Sequence, residues 1–199
     1  MIVRINDFGN LMVLILICIS LNVSGQYSNR YKDGYIIDKY GAKYSGLVKM
    51  TEGANDDPDY LLFKESEKAD KIKLEKATLR SFVIEKDSFI VVNNYKVPKK
   101  KTVLDGFAKI LLKTPNEALC ELIQHQRVAG PSSNAYDDNR DYFFIIRDKN
   151  YIVLTNYNFK HEMTAIVEEN GELKKKINSG EFTYKDLNKV VDLYLQNKQ

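Results

Sequence analysis

Short strand-like runs of apolar residues, some alternating with polar ones, are punctuated by polar turns along the chain, and a helical period takes over only after residue 157. Alternation marks a strand with one buried face. It predicts a strand–turn–strand opening, 34–38 and 43–50, around Lys39-Tyr40-Gly41-Ala42, where Gly41 can take a positive φ without a Cβ penalty. TEGANDDPD at 51–59 reads as a loop, and Tyr60-Leu61-Leu62-Phe63-Lys64 as a short apolar run. Residues 71–74 alternate again. SFVIE (81–85) and SFIVV (88–92) flank a Lys86-Asp87 turn. FAKILLK (107–113) and ALCELIQ (118–124) flank Thr114-Pro115-Asn116-Glu117, where a proline lacking a ladder donor belongs. YFFIIR (142–147) and YIVL (151–154) form a last hairpin, after a polar stretch at 129–141 that reads as an exposed loop.

From Asn158 onward the period is helical. Phe159, Met163, Ile166 and Val167 share one face, with Asn158 placed as N-cap and Gly171 as the end or a bend. Leu173 and Ile177 stand four apart in a second helix closed by Ser179-Gly180. Thr183 and Asp186 have the spacing of a capping box before a third helix with stripe Leu187, Val190, Val191, Tyr194 and Leu195. Strands first and helices last predict an α+β protein. The expected body is a β-rich antiparallel sheet or barrel-like structure with short C-terminal helices. Pro98 and the lysines of VPKKK (97–101) read as a linker, so the globular unit 26–199 divides into halves at 34–95 and 103–199.

The first residues change the picture of where the protein works. Arg4 precedes an apolar stretch from Leu11 to Leu21, followed by Val23 and Gly25 at the −3 and −1 positions of a cut before Gln26. That is a cleavable signal peptide over 1–25, too short for a membrane span of about 20 apolar residues. The alternative is an uncleaved N-terminal anchor. Removal of the segment takes Cys18 with it and leaves Cys120 as the one thiol, so no intrachain disulfide can form. An exported chain without disulfides is held by its core alone. The net charge of +3 against 29% charged residues does not point to nucleic acid.

Candidate chemistry is sparse. Cys120 sits in the apolar run ALCELI, as a buried small side chain would; a nucleophile there would need a base and an oriented partner, and the sequence offers only two histidines to serve it. His125 and His161 lie far apart, short of the close-paired ligands of structural zinc. Asp137, Asn139, Asp141 and Asp148 imitate a calcium loop, but Tyr142 stands where the sharp turn requires glycine. Asn55-Asp56-Asp57-Pro58-Asp59 has nothing apolar around it to raise a carboxyl pKa. Lys96 and Lys99 to Lys101 read as a solvated linker rather than a phosphate site. No residue is therefore nominated as catalytic, cofactor-binding or metal-binding. Thirteen tyrosines with no tryptophan are the compositional oddity, and Tyr27, Tyr31, Tyr35, Tyr40 and Tyr44 crowd the opening. Strand propensity accounts for some of them, and a binding surface is the other reading.

The hairpin GYIIDKYGAKYSGLV, the segment LRSFVIEKDSFIVV and the ending MTAIVEENGELKKKI with FTYKDLNKVVDLY resemble a group of uncharacterised exported proteins of Bacteroidota. Gly46-Leu47-Val48, Glu172-Leu173 and Lys185-Asp186-Leu187 carry the likeness, while Tyr40-Gly41-Ala42-Lys43 departs from the usual asparagine–glycine–aspartate–threonine turn. The resemblance implies export, a bacterial envelope setting and this architecture, and no chemistry. The expected role is a non-enzymatic binding or structural component of the envelope, periplasmic, outer-membrane-associated or extracellular. Its expected partner is a protein or an envelope component. The alternative is an exported hydrolase whose site is assembled only in three dimensions.

Overall fold

The computed structural model describes residues 30–51, 60–96, 103–123, 127–128, 136–137 and 142–198. Ten of its strands join one antiparallel sheet. In chain order these are β1 (Lys32–Asp38), β2 (Lys43–Met50), β3 (Tyr60–Lys64), β4 (Ile72–Glu75), β5 (Leu79–Ile84), β6 (Asp87–Lys96), β7 (Val103–Lys113), β8 (Glu117–Ile123), β11 (Tyr142–Arg147) and β12 (Asn150–Val153). Their order across the sheet is β12-β11-β8-β7-β6-β5-β1-β2-β3-β4. Two-residue strands β9 (Arg127–Val128) and β10 (Tyr136–Asp137) pair separately, so the stretch expected as a loop at 129–141 contributes a short strand that pairs with the residues just before it. The fold is the expected β-rich α+β body. Both expected halves contribute to the same sheet, because β6 pairs with β7 across the linker. The linker at 97–101 and the signal segment at 1–25 lie outside the described residues.

Tight turns set the register. At Gly41 φ is +93°, and Asp38 folds its carboxylate back onto the amides of Tyr40 and Ala42. Asp148 and Lys149 both take positive φ in the two-residue turn between β11 and β12, the backbone that matches strand twist. Thr114 closes the β7–β8 turn, accepting at Oγ1 from the Glu117 amide. Register shifts bend interior strands between Ile37 and Asp38, between Val92 and Tyr95 with Asn94 at φ +57°, and between Ile110 and Leu112.

The N-terminal half of the sheet rolls up. β4 lies four strand positions from β5, which would be about 19 Å in a flat sheet at ~4.8 Å per strand. Only the 3₁₀ turn Lys76–Thr78 joins them, and the step from Glu75 to Leu79 can span at most ~14 Å. The strands must therefore curl until β4 approaches β5. Paired glycines allow it. Gly34 faces Gly46 across β1 and β2. A Cβ on Gly34 would stand 2.0 Å from the Val83 carbonyl oxygen, and one on Gly46 2.2 Å from that of Lys64. Inside the roll, Ile36, Val48, Met50, Leu61, Phe63, Phe82, Ile84, Phe89 and Phe107 form one core, with Phe82 stacked on Phe89 at 4.7 Å.

The same inner face continues into the C-terminal half, where helices cover it. α1 (Phe159–Ile166), α2 (Gly171–Ser179) and α3 (Leu187–Gln196) bury Phe159, Met163, Leu173, Ile177, Val190 and Tyr194 against Leu112, Leu119, Phe143 and Ile145. The opposite face carries a third cluster, Val92, Tyr95, Ala108, Cys120, Leu122 and Phe144. Both faces of β8 and β11 are thus buried, which explains their nearly continuous apolar sequence.

Helix ends differ in detail from expectation. Asn158 does not cap α1 with its side chain. Its Oδ1 accepts from the Thr155 amide and hydroxyl, while Nδ2 donates to the Val153 carbonyl. It ties the helix entry to edge strand β12 instead. Gly171 begins α2 rather than ending α1, and Asn170 is the cap, accepting from the Leu173 amide. Gly180 closes α2 in the left-handed conformation at φ +82°. The Thr183–Asp186 capping box is present, on a 3₁₀ turn that leads into α3. Leu195 lies off the buried stripe and is 44% exposed.

Candidate functional site

The outer face of the rolled half carries two of the five tyrosines that the sequence singles out, Tyr31 and Tyr35; Tyr40 is in the turn, Tyr44 pairs with inward-facing Ile36, and Tyr27 lies outside the described residues. Alternation along β1 to β4 sends Ile36, Val48, Met50, Leu61 and Phe63 inward. The intervening residues point out: Tyr35 and Ile37 on β1, Lys43, Leu47 and Lys49 on β2, Tyr60, Leu62 and Lys64 on β3, and Lys73 on β4. Tyrosine and lysine meet diagonally across strands. The Lys43 ammonium lies 3.8 Å from the Tyr35 ring centroid, that of Lys73 4.2 Å from Tyr60, and that of Lys64 5.2 Å from Tyr31. Each such contact at an exposed site is worth about 0.5–1 kcal/mol. Ile37, Leu47 and Leu62, set among these lysines on the same face, are half-buried. Lys49, Leu62 and Lys73 lie in one cross-strand row, and Lys64 is two residues from Leu62, so three cations ring a leucine. Among the described residues of β1 to β4, Asp33 and Glu75 place carboxylates on the face, the latter 2.8 Å from Lys73. Tyr40 and Tyr44, at the hairpin rim, are 84% and 46% exposed.

A second polar group lies on the inner face, where the roll's core gives way to the helix-covered core. Lys109 pairs in register with Phe89 on β6 and Glu121 on β8, between Phe107 and Leu112 along its own strand. Its ammonium sits 3.2 Å from Asp87 Oδ1, both side chains being about one-fifth exposed. This strip brings two carboxylates, more than thirty residues apart in sequence, to the neighbourhood of one lysine, and no local motif joins them.

A third group ties helix to sheet. Arg147, the last residue of β11, donates from Nε to Glu117 Oε1 at the start of β8 and from Nη2 to Glu162 Oε2 on α1, the latter at 2.9 Å. The hydrogen bond to Glu117 is the first reason its guanidinium is held above its already high ordinary pKa. Glu162 is buried, and Glu117 Oε2 is buried without a hydrogen-bond partner. His161 leans on Glu162 at 3.3 Å with its side chain 83% exposed. These roles are structural: the guanidinium holds together two carboxylates from different elements.

The remaining candidates do not converge. Cys120 is fully buried on β8, where desolvation pushes its thiol up to about 12, far from the thiolate that a nucleophile requires. His125, Asn139, Asp141, residues 55–59 and Lys99 to Lys101 lie outside the described residues. Asp137 falls in β10 and Asp148 in the β11–β12 turn. No group of three histidine, cysteine, aspartate or glutamate side chains is placed to hold a metal among the described residues. No helix among them is long and apolar enough to cross a membrane.

No family model, no curated protein and no solved structure matches this chain.

Proposed function

We propose that the chain is an exported component of the bacterial cell envelope that acts by binding, not by catalysis, through the tyrosine–lysine outer face of its rolled half. One observation carries this reading: tyrosines and lysines from β1 to β4 and the residue before β1 share one outward face and meet across strands. Tyrosine suits a surface that is apolar on one side and wet on the other. Strands of a rolled sheet hold such groups more rigidly than a loop would, so less order is lost on binding. Export follows from the signal-like sequence of residues 1–25.

Co-sedimentation of purified protein with isolated envelope fractions tests the binding face. Tyr35→Ala with Lys49→Glu should lose binding, and Lys185→Glu on the exposed side of the helical tail should keep it. Equal binding by all three forms would overturn the assignment. N-terminal sequencing of the protein recovered from its native host tests export separately. The expected start is Gln26, and a start at Met1 overturns cleavage.

The second reading, an exported hydrolase, has one observation in its favour: Asp87 and Glu121 flank Lys109 on the inner face. Hydrolysis of an ester, peptide or glycoside substrate by the wild type, abolished in Asp87→Asn or Glu121→Gln while folding is intact, would establish it in place of the binding role.

A further inference from the structure

We draw no further inference here: the strongest candidate, the triangle of Lys49, Lys64 and Lys73 around Leu62 on the outer sheet face, belongs to the surface already described, and with Glu75 on Lys73 and four carboxylates in the adjoining stretch 52–59 nothing in the structure shows what covers it.

Discussion

Two glycines decide whether the sheet can roll. A methyl group on Gly34 or Gly46 has a backbone carbonyl oxygen at about two-thirds of contact distance, and backbone can yield only by moving a strand. Overpacking of this kind costs about 1–3 kcal/mol, sometimes more. Gly34→Ala and Gly46→Ala should each lower the denaturant midpoint, whereas Gly171→Ala, with open space around it, should leave it unchanged or raise it. Equal midpoints for all three variants would show that the curl does not depend on these positions. Cys120 supplies a second test at this scale. Its thiol is buried and held protonated, so native protein should resist a thiol reagent until denaturant unfolds it. Labelling at the rate of a free thiol in buffer would place Cys120 at a surface. Much at this scale was legible beforehand: Cys120 as a buried apolar residue and Gly41 as a turn glycine follow from the types of residue around them. The need for glycine at 34 and 46 was not, because the clashing oxygens belong to residues 83 and 64, which only the strand pairing brings near.

Elements were easier to read than their joints. Short apolar or alternating runs between polar turns found the strands that enter the main sheet, and period-four spacing found the three helices among the described residues, since both patterns report a local backbone geometry. The joints depend on partners from elsewhere. Asn158 has the composition of an N-cap, but its amide finds the Val153 carbonyl of an edge strand. The Arg147 clamp unites residues 117, 147 and 162, and no spacing rule anticipates it. Arg147→Met should cost about 1–3 kcal/mol, because it strands two carboxylates that are mostly out of water. A double-mutant cycle with Glu162→Gln should show coupling of about 0.5–3 kcal/mol. Zero coupling would mean that α1 is held by apolar packing alone. The Thr183–Asp186 box adds a pH-dependent joint. Hydrogen bonds from the Thr183 amide and hydroxyl hold the Asp186 carboxyl below its ordinary value of 3.8. A depressed carboxyl contributes stability that is fully present above the unfolded-state pKa and is lost as pH falls through the folded one. Melting temperatures of wild type and Asp186→Ala should therefore differ at neutral pH and converge below pH 3.8. A gap that persists unchanged in acid would rule out the carboxylate as its source.

At the scale of the molecule, the sheet has two ways of covering its inner face: it rolls over itself at the N-terminal end and borrows helices at the C-terminal end. The second is a dependence that can be broken. α3 has ten residues, too few for a stable helix alone in water. It contributes Leu187, Val190, Val191 and Tyr194 to the shared core, each at most 6% exposed. Burial of such a side chain is worth about 1.5–3 kcal/mol. Four of them rival the whole stability of a domain, about 5–15 kcal/mol. A chain ending at Gly180 would lose these side chains and Phe182 and would uncover Leu112, Phe143 and Ile145, a contiguous apolar face prone to self-association. It should unfold or aggregate, as seen by loss of a cooperative thermal transition and by light scattering. Val190→Asp in the full chain should do the same, since a carboxylate at a fully buried position has no partner there. Lys189→Asp should change little, because Lys189 is exposed and gives up a 5.2 Å contact with the Phe182 ring and a solvent-screened attraction to Asp186. If the truncated chain stays soluble and melts cooperatively at an unchanged temperature, the helical tail is an appendage. Its apolar stripe would then be available to a partner, and the search for the binding surface would move from the outer face of β1 to β4 to the face that α3 now conceals.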